Sequence, residues 1–245
     1  MISFRRPPLR RLVFAFTVIG LASVALGALI NMTLRDFLQS GTHVGQVGPD
    51  LIYDSNSCSS CHGGYDQENS PHDTWKGSLM AQAGRDPLFW AQMTNADQDV
   101  ANVGYYCMRC HVPNTFVDGH AYRTDGSFLD SFDLDGVSCH FCHAMVDPVY
   151  DPGTSPPEDP ATLATLHSVP EHYANAMFVL DPSGLRRGPY DDASTQHRTL
   201  QSPFHREGEM CGTCHDVGNV AISLQDDGSY AYNALNAPPP SEDAW

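Results

Sequence analysis

A mainly α, loop-rich chain with little sheet, preceded by an N-terminal hydrophobic helix, is the fold class that the sequence predicts. Three observations carry it. A five-residue unit, Cys-x-x-Cys-His, occurs four times, from Cys58 to His62, Cys107 to His111, Cys139 to His143 and Cys211 to His215, and uses all eight cysteines. Glycine (20) and proline (18) are too frequent for a chain of long regular elements, so the helices should be short and the connections many. Residues 12–30, LVFAFTVIGLASVALGALI, are nineteen uncharged, mostly apolar residues behind four arginines.

The repeated unit points to one chemistry. On a helical turn, cysteines three apart share a face, and each thiol can add to a vinyl group of the same porphyrin. The histidine that follows stands beside the metal and gives it an imidazole nitrogen. The sequence therefore predicts four covalently attached haems c. Their thioether sulfurs are Cys58 and Cys61, Cys107 and Cys110, Cys139 and Cys142, and Cys211 and Cys214, with His62, His111, His143 and His215 as axial ligands. Random placement of 8 Cys and 12 His in 245 residues gives on the order of 0.01 such units. Zinc ribbons need paired Cys-x-x-Cys hooks but no histidine at this fixed offset, and a disulfide framework needs no Cys-x-x-Cys at all.

Taken in order, residues 1–30 form a signal peptide or an N-terminal membrane anchor, with the arginines on the cytoplasmic side. The apolar run nearly spans a bilayer, which favours an anchor, while Ala25-Leu26-Gly27 offers a cleavage site that would release a soluble form. Arg5-Arg6 does not make a twin-arginine signal, because its flanking residues fit poorly. Residues 31–50 turn glycine-rich and are expected to be a spacer, with His43 solvated in it. The remaining span, 51–245, is one domain's worth of chain, in which the haems must supply much of the core.

Ser70-Pro71 starts a helix expected to run to about Ala83, and Asp86-Pro87 starts another expected to continue into Cys107. On the second, Leu88, Trp90, Met93, Val100 and Val103 follow helical spacing and should lie on a haem. Residues 112–136 are turn-rich and acidic, and Asp133-Leu134-Asp135-Gly136 lacks the full oxygen spacing of a calcium loop, so a solvated loop is expected. Residues 147–160 hold five prolines and must be a loop. Short helices are expected at about 159–167 and 170–178, and Ser202-Pro203 starts one that runs through His205 into the fourth unit.

Eight histidines remain for the far side of four irons. His205 leads, because on one continuous helix it would stand about 240° from Cys211 and face a neighbouring haem. His72, on the first turn of a capped helix, and His197, in a short connector, follow, and after them His120, His167 and His172. His140, inside its own Cys-x-x-Cys turn, should point away from that iron. Met80, Met93 and Met210 are alternative ligands, although methionines at helical spacing usually pack in a core.

Charge narrows the partners. The leader holds four of the thirteen Lys and Arg and no acid, so the rest carries nine basic against twenty-nine acidic residues. Such a surface repels nucleic acid and steers redox partner proteins with basic docking faces.

Several stretches together resemble a known group. The spaced units, Gly136-Val137 directly before Cys139, and Arg187-Gly188-Pro189-Tyr190 leading through His197 and His205 to Cys211-Gly-Thr-Cys-His215 are similar to the cytochrome c554-like multihaem cytochromes. These are kin to the pentahaem nitrite reductases and hydroxylamine oxidoreductases. The likeness covers roughly residues 56–220 and implies a multihaem cytochrome c fold, with haems in close parallel and perpendicular pairs, ligated largely by two histidines. It also implies that His197 and His205 are distal ligands and that electrons pass in the periplasm. No Cys-x-x-Cys-Lys occurs, so the lysine-ligated haem of the nitrite reductases has no counterpart.

The expectation is a periplasmic tetrahaem electron relay, held to the inner membrane by residues 12–30 or soluble after cleavage. Two alternatives stand beside it: a reductase of small nitrogen compounds with one open haem, and a haem subunit of a larger redox complex.

Overall fold

The computed structural model describes residues 32–193, 196–218, 222–224 and 226–232. The leader at residues 1–30 lies outside the described residues. Helix far outweighs strand among the described residues, so the chain is mainly α with little sheet. No helix among the described residues is long and apolar enough to cross a membrane.

The helices are α1 (Ser55–His62), α2 (Pro71–Lys76), α3 (Leu79–Gln82), α4 (Pro87–Asp99), α5 (Val103–His111), α6 (Thr115–Asp118), α7 (Cys139–Ala144), α8 (Asp159–Leu163) and α9 (Gly208–His215). Six short 3-10 turns and three two-stranded ribbons accompany them among the described residues. β1 (Met145–Val146) pairs antiparallel with β2 (Val179–Leu180), β3 (Arg186–Gly188) parallel with β4 (Thr199–Gln201), and β5 (Ile222–Leu224) antiparallel with β6 (Tyr230–Tyr232). One apolar cluster, with Phe37, Met93, Tyr105, Met108, Phe116, Phe141, Phe178 and Leu180 among its members, runs beneath α4, α5 and α7.

Each expected long helix is broken, and each break has a local cause. The helix from Ser70 stops at Lys76, and Ser78 caps a new one by accepting the N–H of Ala81. Trp75 Nε1 meanwhile donates to Val137 O at 2.9 Å, which ties α2 to the approach to the third unit. The helix from Asp86 ends at Asp99, and Asn102 turns the chain at φ +65° while its Nδ2 donates to Met32 O at 2.6 Å. Along that helix Met93 is buried, but Leu88 is 73% exposed, so the apolar stripe is not one continuous buried face. The helix expected through His205 is a 3-10 turn, Pro203–Arg206, which stops at the extended Glu207 before α9 begins. His205 and Cys211 therefore do not share a helix, and the 240° argument does not apply.

Other expectations are corrected by packing. The glycine-rich stretch at 32–50 is no free spacer: Met32, Phe37 and Val47 are each 1% exposed. Gly41 N–H donates to Ser168 O and Thr42 N–H to Phe178 O, at 2.9 and 2.8 Å. Gly41 has φ +103°, and a side chain there would sit 2.4 Å from Phe178 O, so this glycine serves close approach rather than flexibility. His43 is buried instead of solvated, and burial, then Arg109 and His167, pushes it down to about 3. In 112–136, residues 112–117 are buried and include the start of α6, so the first part of this stretch is core, not a solvated loop. Only 159–163 of the expected helix at 159–167 forms. Residues 170–178 form none, because Asn175 and Ala176 hold positive φ so that their N–H groups reach Asp216 O and Thr213 O.

Candidate functional site

The four units form or close the helices α1, α5, α7 and α9. Asp54 caps α1 by accepting the N–H of Asn56, and Ser138 caps α7 by accepting that of Phe141. Helical spacing puts the two cysteines of each unit on one face, as covalent attachment to a planar group requires. All eight cysteines are free thiols, and the four unit histidines are exposed. These helices fit the donor set of a bound haem: two sulfurs and one imidazole each.

Specific contacts bring the units together in pairs. The thiols of Cys58 and Cys139 lie close enough to act on each other's ionisation, as do those of Cys110 and Cys214. Within each pair that proximity lowers one thiol, Cys139 down to about 7, and raises its partner, because the first proton leaves readily and the second is held. Ser55 fastens the first pair: its N–H donates to Asp135 Oδ2 at 3.0 Å and its hydroxyl accepts the Cys139 N–H at 3.1 Å. Between Ser138 and the preceding turn stands Gly136, at φ +68°, where a Cβ would meet Met80 O at 2.4 Å.

The loop at 174–176 fastens the second pair. Asn175 Oδ1 accepts from Tyr106 OH and from Gly218 N–H, both at 2.7 Å. Arg109, wholly buried inside the second unit, donates through Nε to Ala176 O at 2.7 Å and through Nη2 to Thr42 O at 3.0 Å. Its guanidinium also lies over the rings of Phe116 and Phe178, 4.9 and 4.5 Å from their centres. With no carboxylate among these partners, burial lowers it to about 10.

Two unit histidines each face a second imidazole. His143 and His205 lie 6.0 Å apart, centre to centre, with planes 10° apart, and His62 and His197 lie 6.3 Å apart at 39°. Imidazoles bound to opposite sides of one metal ion at about 2 Å per bond place their ring centres roughly 6 Å apart. The tautomers of the first pair can be read from its hydrogen bonds. His143 Nδ1–H donates to Arg187 O at 2.6 Å, which leaves the lone pair on Nε2. His205 Nε2–H donates to Cys142 O at 3.0 Å, and Nδ1 is buried without a partner. Burial, then the neighbouring His143 and Arg187, lowers His205 to about 4, so its lone pair is free of a proton at neutral pH. Burial, then Arg186, also lowers His197.

The remaining histidines are placed otherwise. His111 stacks on Phe89, centres 4.1 Å apart, and among the described residues no second imidazole ring stands against His111 or His215. His72 is buried beside Gly63 and Trp75, with Nε2 unpartnered, and does not stack on a unit histidine. His120 is held by Asp133, 2.5 Å from Nδ1, which raises it above the usual histidine range. His140 accepts the Tyr53 N–H on Nδ1, stacks on the Tyr53 ring, and is lowered to about 4, chiefly by burial. Its lone pair is thus occupied. His167 and His172 are exposed, as is Met80; Met93 is buried and Met210 packs beside the core.

Sequence reasoning missed the supports of this site. Arg187 is wholly buried: Nη1 donates to Asp181 Oδ2 at 2.6 Å, and Nε and Nη2 donate to Asp159 Oδ1 at 3.0 and 2.7 Å. Its carbonyl is the one that holds His143, so Asp159 and Asp181, by anchoring the Arg187 side chain, help to place the group that sets the tautomer of a unit histidine. No family model matches the chain, and no curated protein or solved structure does so.

Proposed function

We propose that the chain is a tetrahaem c-type cytochrome that relays single electrons between redox proteins in the periplasm. The observation that carries the reading is the joint one: four Cys-x-x-Cys-His helices, two of whose histidines face a second imidazole at the span of one metal ion. When bound, haem c supplies one-electron redox chemistry.

The protein's own residues do the rest. Eight cysteine sulfurs would fix the groups covalently; His62 with His197, and His143 with His205, would close two of them; and His111 and His215 would ligate the others. The Arg187 carbonyl, which accepts from His143 Nδ1–H, would orient that ring and leave Nε2 as the donor to a bound haem. The thiol contacts link the first unit to the third and the second to the fourth. Cys142 of the third unit lies within charge range of Cys211 and of Cys214 in the fourth, so the units form one series: first, third, fourth, second. A continuous series suits a relay. The acidic surface suits a basic partner, and the arginine-flanked apolar leader suits export with or without a retained anchor.

One observation favours a second reading, a reductase of small nitrogen compounds: no second imidazole stands across from His111 or His215 among the described residues. Carbon monoxide decides between the two, since it binds reduced haem with an open axial position. The relay reading requires a further ligand across from each of His111 and His215, and with all four haems closed it predicts almost no binding to the reduced wild-type protein. Stoichiometric binding at one haem or more would favour the reductase.

A further inference from the structure

Away from the four units, the stretch from the end of α6 to the turn before α7 gathers a different donor set. Asp118 ends α6, Gly119 turns the chain at φ +78°, and His120 opens the next turn. Asp133 starts the 3-10 turn Asp133–Asp135 and is wholly buried. One carboxylate oxygen each from Asp118 and Asp133 and a ring nitrogen of His120 all lie within 4.8 Å of one another. Neighbouring ligands of a four-coordinate ion stand about 3.3 Å apart, a distance that small side-chain rotations would reach.

The hydrogen bonding around these groups leaves work undone. Asp133 Oδ2 accepts the Asp130 N–H and faces His120 Nδ1, but Asp133 Oδ1 has no partner. Asp118 Oδ1 is likewise buried and unpartnered. Asp130 supplies no donor to either, since its carboxylate only accepts, here from the N–H groups of Phe132 and Asp133. A protonated His120 brings one positive charge against Asp118 and Asp133, with Asp130 and Asp50 adding to the negative field at Asp118. Two buried carboxylate oxygens without donors call for a cation. A cleft of about 440 Å³, lined in part by Asp50, Asp54, Asp118 and Asp130, reaches Asp118 and would admit both ion and water.

We infer that Asp118, His120 and Asp133 form a binding site for one divalent transition ion of the zinc class, separate from the four Cys-x-x-Cys-His units. One imidazole with two carboxylates suits zinc better than calcium, which takes oxygen ligands, or thiophilic ions, which take sulfur. Binding would release the proton that His120 shares with Asp133 to solvent, and water from the cleft would complete the shell. The site takes His120 out of the set that closes a haem, and it joins the turn after α6 to the turn that leads into α7.

The test uses the full-length protein as isolated, stripped with a chelator, desalted and given zinc chloride. Zinc per chain is measured after gel filtration, and affinity by calorimetry. The wild type should retain one more zinc than Asp118→Asn or His120→Gln, in which affinity should fall at least 100-fold. Asp118 is only half-buried, so its variant should fold as judged by circular dichroism even if Asp133→Asn does not. The difference of one zinc is read whatever the cysteines carry, so it stands or falls apart from the haem reading. Equal zinc content and affinity in wild type and Asp118→Asn, no retained zinc in either, or thermal stabilisation by calcium in place of zinc would each overturn the assignment.

Discussion

Arg187→Ala is expected to lower the stability of the protein by about 3–5 kcal/mol, because it leaves the buried carboxylates of Asp159 and Asp181 without their cation. For a chain of this size that is a fall of roughly 10 °C in the unfolding midpoint, read by differential scanning calorimetry. Arg187→Lys should recover little, since a single ammonium cannot reproduce the three bonds that the guanidinium donates to the two acids. A second effect separates this network from ordinary core packing. His143 Nδ1–H donates to the Arg187 carbonyl, so a shift of β3 should move one midpoint potential and leave the rest in place. A loss below about 1 kcal/mol would show that the network does not stabilise the fold.

His205→Ala should change the chemistry of one site with a smaller change in stability. The unpartnered Nδ1 of His205, across from His143, disappears, while the sulfurs of Cys139 and Cys142 still hold the group. One iron in four should turn high-spin, and the reduced variant should bind one equivalent of carbon monoxide more than the wild type. His140→Ala is the contrasting variant: its Nδ1 is taken by the Tyr53 N–H, so the spin state should not change. An unchanged spectrum in His205→Ala would remove His205 from the ligand set.

The helical turns of the four units and the helix starts at Pro71 and Pro87 were legible because they are local: spacing, and Pro at first helical positions, act within a turn or two. The breaks were not. Asn102 ends a helix with its side chain on Met32, seventy residues away, and Ala176 leaves helical space to reach Thr213. Such long-range bonds carry no periodic signal. The same holds in the site. Cys107 and His111 announce themselves by spacing, but Arg109 between them carries no such signal and is the buried tie to residues 42 and 176. The pairing of His143 with a residue of the Pro203–Arg206 turn depends on how α7 meets β3 and that turn, which no stretch of sequence displays. The acidic segment at 112–136 was readable as acidic, but only the fold brings Asp118, His120 and Asp133 together.

Everything in the functional reading rests on four groups being attached, one per unit. The direct measurement is the intact mass of the denatured protein, made in a host that carries the cytochrome c maturation machinery, since only thioether-linked haem survives denaturation. The mass should exceed that of the polypeptide by four haems. Three or fewer would contradict the assignment of every Cys-x-x-Cys-His unit to a haem, and none at all would remove the electron-relay reading.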